Sequence, residues 1–376
     1  SENRTIGISM INVFGSCVGK EEFKEIKDCI KNQWLGIGKK VETFEKMMTD
    51  KIGVSDFTAV DSGSNALYMA VNLLDLKAGS EVIIPSITWI SCANAVILCG
   101  LKPVFCDVDY DSVNATPKTI SEAITKNTSA IMIVHYAGLP VLAGFDIPII
   151  ADCAHAVDTY IEWNKDNWKH IANYSDVSIF SFDSIKNVAC GELGGIYSSN
   201  LLYADKPKNM RYCGLIKSGL QASTEKKRWW EYELIKPFPK MLPNDLTASI
   251  GIAQLKKLPF LQSRRKQIWG IYQRELKDIN WIITPPAIPK FIKHSYFTYF
   301  IKVLNGKRDK LARYLLDNGI YTTVRYEPLH LYKQFGSKQT LPVAEKLNEE
   351  LLNLPLHPNL SDKDLDYIIT KIKEFI

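Results

Sequence analysis

The chain has no Cys-x-x-Cys pair, although it holds eight cysteines in 376 residues. Cys17, Cys29, Cys92, Cys99, Cys106, Cys153, Cys190 and Cys213 lie singly, mostly in apolar or helical surroundings. No thiol cluster suggests a metal site, and free, mainly buried thiols in a reducing compartment are expected. The opening residues, Ser1-Glu-Asn-Arg-Thr5, lack the apolar core of a signal peptide. No apolar run reaches membrane-spanning length, because the stretch near Ile83 is broken by Pro85 and polar residues. Charge of one sign is also scarce: 46 Lys and Arg against 41 Asp and Glu leave +5. That balance gives no basis for a nucleic-acid partner and only weakly suits an anionic substrate. Internal repeats and low-complexity tracts are missing too. A cytoplasmic enzyme with no membrane partner is the expectation.

What is present is a large apolar fraction, 46%, enough for one large and one small domain. Leu67, Ala70, Val71 and Leu74 recur at helical spacing. Short continuous apolar runs follow: Glu81–Ile84, Val104–Phe105, Ala130–Val134, Ile147–Ala151 and Val177–Phe180. Such runs suit strands covered on both faces. With helices between them they predict an α/β fold, a doubly wound, mainly parallel sheet. The second half reads differently. A long charged helix is expected from about Leu255 to Trp269, and a strand over Tyr296–Val303. Lys307–Asn318 reads as a helix stopped by Gly319. Tyr321–Val324 reads as another strand and Asp362–Phe375 as a final amphipathic helix. The division expected is a large domain, residues 1–254, and a small α+β domain, 255–376.

The chemistry concentrates in two strand ends. Ile149-Ile-Ala-Asp152 closes one apolar strand with an acid. Some thirty residues later, Lys186 follows Ser178-Ile-Phe-Ser-Phe182 and precedes a turn holding Gly191, Gly194 and Gly195. A pyridoxal phosphate enzyme needs this pairing: a lysine to form a Schiff base with the cofactor aldehyde, and an acid to keep the pyridine nitrogen protonated. Burial or a neighbouring cation would free the lysine amine for that bond. Taken singly, Lys186 reads as a surface lysine and Asp152 equally well as a helix N-cap. Together they favour the cofactor. Ser62-Gly63-Ser64-Asn65 precedes a helix near Ala66, where amide groups and the helix dipole would hold a phosphate; an ordinary serine cap is the alternative. Trp89 offers a ring to stack on a pyridine, or core packing. His155 is three residues past Asp152 and could reach the cofactor's ring oxygen, and Ser181 could add a hydroxyl to the phosphate. Lys226, Lys227 and Arg228 could attract an acidic substrate, although such a run is more often a solvated face.

In order along the chain, these segments resemble the DegT/DnrJ/EryC1/StrS family of sugar aminotransferases. Trp34-Leu-Gly-Ile-Gly38 and Val41-Glu-Thr-Phe-Glu45 are similar to the family's opening W-L-x-x-G…V-x-x-F-E. Ser62–Leu67 resembles its S-G-T-x-A-L turn, and Pro85–Asn94 its P-x-x-T-aromatic segment. Asp152-Cys-Ala-His155-Ala and Phe180–Gly195 carry its acid and lysine elements. Ile250–Leu255, Tyr326–His330 and Leu354–Pro358 are similar to its later landmarks. The resemblance implies the aspartate aminotransferase fold (fold type I), usually a homodimer in which each site is completed by the neighbouring subunit. It implies pyridoxal 5'-phosphate on Lys186, with Asp152 at the ring nitrogen, Trp89 on the ring face and His155 beside the ring oxygen. Gly63, Ser64 and Ser181 would bind the phosphate.

This chain departs from the family at four places. Lys240 falls where an asparagine usually reaches the partner's phosphate, and Met241-Leu242 replaces tyrosine-arginine. A lysine there would act as a point charge. Asp183 and Arg325 stand where histidines are common, which implies a distinctive sugar or donor pocket. Relatives with histidine at the lysine position are dehydratases, and Lys186 argues against that chemistry. The implied reaction moves an amine from an amino acid, by resemblance L-glutamate, to a keto-sugar in amino-sugar or surface-polysaccharide synthesis. The sugar is usually a nucleotide-linked keto-deoxysugar, with an unactivated keto-sugar acid as the alternative. A cofactor-binding regulator, a sugar dehydratase and a non-catalytic sheet protein are the competing readings.

Overall fold

The computed structural model describes residues 10–199, 206–216 and 232–375; Lys226, Lys227 and Arg228 lie outside them. Among the described residues nine strands come before residue 200: β1 (Thr58–Val60), β2 (Glu81–Pro85), β3 (Lys102–Cys106), β4 (Thr128–Val134), β5 (Ile149–Asp152), β6 (Tyr160–Asn164), β7 (Asn167–His170), β8 (Val177–Ser181) and β9 (Gly194–Ser198). Seven of them form one sheet in the order β1-β9-β8-β5-β4-β2-β3. Only β9 runs against its neighbours; β8, β5, β4, β2 and β3 are mutually parallel.

The continuous apolar runs are explained by two cores, one on each face. Along β2, Val82 and Ile84 enter one core and Ile83 the other. Along β4, Ala130, Met132 and Val134 alternate in the same way with Ile131 and Ile133. The helix Gly63–Leu73 packs Leu67, Ala70 and Val71 onto the first face. Phe44 and Met48 of the helix Lys39–Ile52, with Ala248 and Ile252, cover the second.

The remaining strands are β10 (Ile282–Ile283), β11 (Ile292–Lys293), β12 (Tyr299–Val303) and β13 (Leu351–Leu354). β10, β12 and β13 make a three-stranded antiparallel sheet. Its core is completed by the helices Arg308–Asp317 and Asp362–Glu374. The long helix is Asp245–Leu276, 32 residues, and runs through residue 254 without a break. It starts earlier than expected because the Asn244 side chain accepts the Thr247 N–H at 3.0 Å. Arg265 on this helix is buried, and its Nη1 donates to the carbonyls of Phe297 and Leu356 at 3.1 and 3.2 Å. The helix is thereby tied to the chain on both sides of β12.

Tyr321–Val324 is not a strand. It meets β13 through one isolated bridge, Thr323 to Asn353, because the chain turns away at once to cross the end of the large sheet. All eight cysteines are free. No described helix is long and apolar enough to cross a membrane.

Candidate active site

A cavity of about 480 Å³ opens at the carboxyl ends of the parallel strands, the place where open α/β sheets bind ligands. Val134 ends β4, Asp152 ends β5 and Ser181 ends β8, while Thr88 and Trp89 follow β2; all five line it. Lys186, Ser62, Gly63, Ser64 and His155 join them. The cavity therefore gathers every expected site residue except Lys240, which is exposed and bridged to Tyr212. Lys240 is outside the cavity of its own chain.

Asp152 is buried, 6% exposed. No helix follows it, so it is not a helix cap. Its Oδ1 instead accepts the Ala154 N–H at 2.8 Å, pinning the carboxyl in a tight turn. Among the described residues, its other oxygen has as hydrogen-bond partner the Cys92 thiol, 3.6 Å away, a weak donor. Burial raises its pKa, while the Ala154 hydrogen bond, Lys186 and the thiol pull the other way. A buried carboxylate this poorly satisfied is a receptor for a cationic N–H donor.

Lys186 sits on the loop after β8, its N–H bonded to the Asp183 carbonyl at 2.9 Å. Its Nζ lies 4.8 Å from the Phe297 ring centroid. Burial, and then the charge of Arg325, lower its pKa to about 8 against the opposing pull of Asp152, Asp183 and Cys92. The amine is thereby tuned towards nucleophilic and base chemistry near neutral pH.

The wall opposite is built by glycines. The helix Gly63–Leu73 starts at Ser62, whose Oγ accepts the Asn65 N–H at 3.2 Å. Ser62, not Ser64, is thus the cap, and Ser64 is left bonded to Ser91 at 2.8 Å. A Cβ on Gly63 would come within 2.7 Å of the Ser181 Cβ, and one on Gly194 within 2.2 Å of the Ser62 carbonyl. The absent side chains let β8 and β9 press against the helix N-terminus, which brings Ser181 beside it. This is an anion cradle in shape and polarity. The cradle, the buried acid and the softened amine fit the phosphate, ring nitrogen and aldehyde of pyridoxal phosphate.

The aromatic frame was only partly legible. Trp89 is 53% exposed and its ring centroid is 5.7 Å from that of Tyr326. His155 stacks on Phe297 at 3.9 Å. Its Nδ1 accepts the Ala137 N–H at 3.3 Å, so the ring proton resides on Nε2, which faces Tyr326 Oη at 3.3 Å. Burial, with the charges of Lys186 and Arg325, holds its pKa well below the usual value and keeps it neutral.

Sequence reasoning gave no role to Phe297, Cys92 or Glu192, although Cys92 and Glu192 stand inside the Pro85–Asn94 and Phe180–Gly195 segments. It gave Tyr326 no role beyond a landmark. Tyr326 arrives because the segment after Thr323 is strapped over β2. Leu329 N–H donates to the Ser86 carbonyl at 2.8 Å, and Ser86 Oγ meets His330 Nδ1 at 2.6 Å. Asn353 Oδ1 accepts the Arg325 N–H at 2.9 Å, fixing the turn from below.

The model of the DegT/DnrJ/EryC1/StrS aminotransferase family matches residues 16–373. A dTDP-4-dehydro-2,3,6-trideoxy-D-glucose 4-aminotransferase from Saccharopolyspora spinosa is 32% identical over 378 residues, covering 98% of this chain and 97% of that one. The spore coat polysaccharide biosynthesis protein SpsC of Bacillus subtilis is 32% identical, covering 96% and 95%. The crystal structure of the aminotransferase TlmJ from Streptoalloteichus hindustanus superposes with a TM-score of 0.89 at 32% identity, covering 97% and 98%.

Proposed function

Because the chain belongs to the DegT/DnrJ/EryC1/StrS aminotransferase family, whose members depend on pyridoxal phosphate, we propose that it transfers an amino group from an amino acid, L-glutamate, to a keto-sugar. The sugar is a nucleotide-linked keto-deoxysugar, by analogy with the S. spinosa relative, and the setting is amino-sugar or surface-polysaccharide synthesis. The observation that carries the reading is one cavity shared by a softened lysine and a buried, under-satisfied acid, close enough for each to move the other's pKa.

When bound, the cofactor supplies an electron sink that acidifies the hydrogen on the carbon beside nitrogen. The protein supplies the rest. Lys186 anchors the aldehyde and, once released, moves the proton at the donor's α-carbon. Asp152 keeps the ring nitrogen protonated. Trp89 and His155, the latter neutral and hydrogen-bonded to Tyr326, would hold the cofactor ring. Gly63, Ser64 and Ser181 hold the phosphate. Lys240, exposed on its own chain, reaches the phosphate of a second copy in a homodimer. The domains divide as 1–254 and 255–376, joined by the continuous helix Asp245–Leu276. The enzyme works in the cytoplasm.

The test is amine transfer followed by mass spectrometry. Holoenzyme with L-glutamate and a dTDP-4-keto-deoxysugar should yield 2-oxoglutarate and a sugar that has gained nitrogen, and Lys186→Ala should yield neither. A sugar product without nitrogen would establish the dehydratase reading instead. A cofactor-loaded protein that takes nitrogen from no amino acid would establish the regulator.

A further inference from the structure

Among the described residues, Lys186 and Arg325 are the only lysine and arginine that line the cavity. Arg325 donates from Nη1 to Tyr326 Oη at 2.9 Å, and it makes no ion pair with any described residue. Its Nε is buried and has no hydrogen-bond partner. The guanidinium rests 3.9 Å over the Phe14 ring and 5.5 Å from the rings of Phe297 and Tyr326. Aromatic faces compensate a desolvated cation only in part, and a buried unpaired donor is costly. An unsatisfied guanidinium offers the two-pronged donor geometry that matches a carboxylate.

We propose that Arg325 binds the carboxylate of a substrate, and that this carboxylate is the α-carboxylate of the amino donor. The inference rests on the aminotransferase reading. An amino acid must bring its nitrogen to the position of the Lys186 amine, and its α-carboxylate is two bonds from that nitrogen. The receptor must therefore lie beside Lys186, and Arg325 is near enough for its charge to depress that amine. The rest of the cavity is unsuitable. Asp183 lines it as an acid and repels a carboxylate, while burial and Asp183 push Glu192 towards its neutral form, which offers no positive charge to hold one. The helix N-terminus and Ser181 form a separate anion cradle. Asn353, which accepts the Arg325 backbone N–H, acts as a positioning residue.

The pairing has a consequence for the chemistry. Lys186 is faced by Arg325, Asp152, Asp183 and Cys92. A carboxylate on Arg325 cancels the one charge that lowers the lysine's basicity. Donor binding then makes Lys186 a stronger base at the moment it is released.

Two measurements test the proposal. Calorimetry on the holoenzyme gives the Kd of 2-oxoglutarate and of glucuronate, the latter standing for a sugar acid. Single-turnover kinetics with L-glutamate separates affinity from limiting rate. Arg325→Gln should weaken 2-oxoglutarate and L-glutamate by about tenfold to a hundredfold, the loss expected for a charge-assisted pair. The limiting rate should change much less, and Arg325→Lys should recover part of the affinity. Weakening confined to glucuronate would keep the carboxylate site but assign it to the sugar. Unchanged Kd values for both probes, or a fall in rate with affinity intact, would overturn it. If the wild-type protein transfers no amine at all, the aminotransferase reading fails, and the calorimetry still decides the role of Arg325.

Discussion

The lowered pKa of Lys186 predicts an abnormally reactive amine in the cofactor-free protein. With a value of about 8, roughly 9% of the amine is neutral at pH 7, against about 0.03% at the ordinary 10.5, a gain of about 300-fold. The causes have signs that can be separated. Burial and Arg325 lower the value, so Arg325→Gln should raise it. Asp152 raises it, so Asp152→Asn should lower it further. The assay is competitive labelling with a trace amine reagent across pH 6 to 11, read by mass spectrometry of the Lys186 peptide. The exposed Lys77 serves as the reference for reagent decay. Labelling of Lys186 should show its midpoint near pH 8. A midpoint near 10.5, or two substitutions that shift it in the same direction, would refute the reasoning.

Three other outcomes are expected. Gly194→Ala puts a methyl 2.2 Å from the Ser62 carbonyl, so strand and turn must part by about 1 Å; overpacking of about 1–3 kcal/mol should weaken cofactor retention by roughly fivefold to 150-fold in an equilibrium dialysis assay, and wild-type retention would contradict the cradle. Asp152→Asn keeps an oxygen for the Ala154 N–H but loses the charge, so cofactor affinity should fall with little change in Tm; a Tm loss with unchanged affinity would mean the carboxyl serves only its turn. Finally, burial holds His135, His170 and His294 near pKa 3, below the unfolded value of 6.5. Such groups stabilise the fold fully above the unfolded value and lose that contribution as pH falls through it towards 3. At pH 5 the loss is about 2 kcal/mol for each, so the urea midpoint should drop steeply between pH 7 and pH 5; a flat profile would contradict the burial.

The large sheet was legible because its strands are buried on both faces, and a run such as Ile131-Met-Ile133 leaves no other role for its residues. Asp152 and Lys186 were legible only as a pair: each alone suits a cap or a solvated surface, but an acid and a lysine following neighbouring apolar strands suit one ligand beyond the sheet. Local sequence gave the wrong answer where tertiary contacts decide the backbone. Tyr321–Val324 has strand-like composition, yet the strap through Leu329 and His330 pulls the chain across β2. Ser64 and Ser62 are equally good caps by composition, and only the structure shows that Ser62 takes the Asn65 N–H while Ser64 turns to Ser91. Phe297 precedes β12 in a different part of the chain, and nothing local marks its role under Lys186.

The central claim is that one lysine, the 186th residue, holds the cofactor. Treating the holoenzyme with borohydride fixes the cofactor irreversibly to its lysine, and peptide mass mapping then identifies the residue. A single pyridoxyl-modified peptide containing Lys186 is the predicted result. Modification of another lysine, or none, would contradict it.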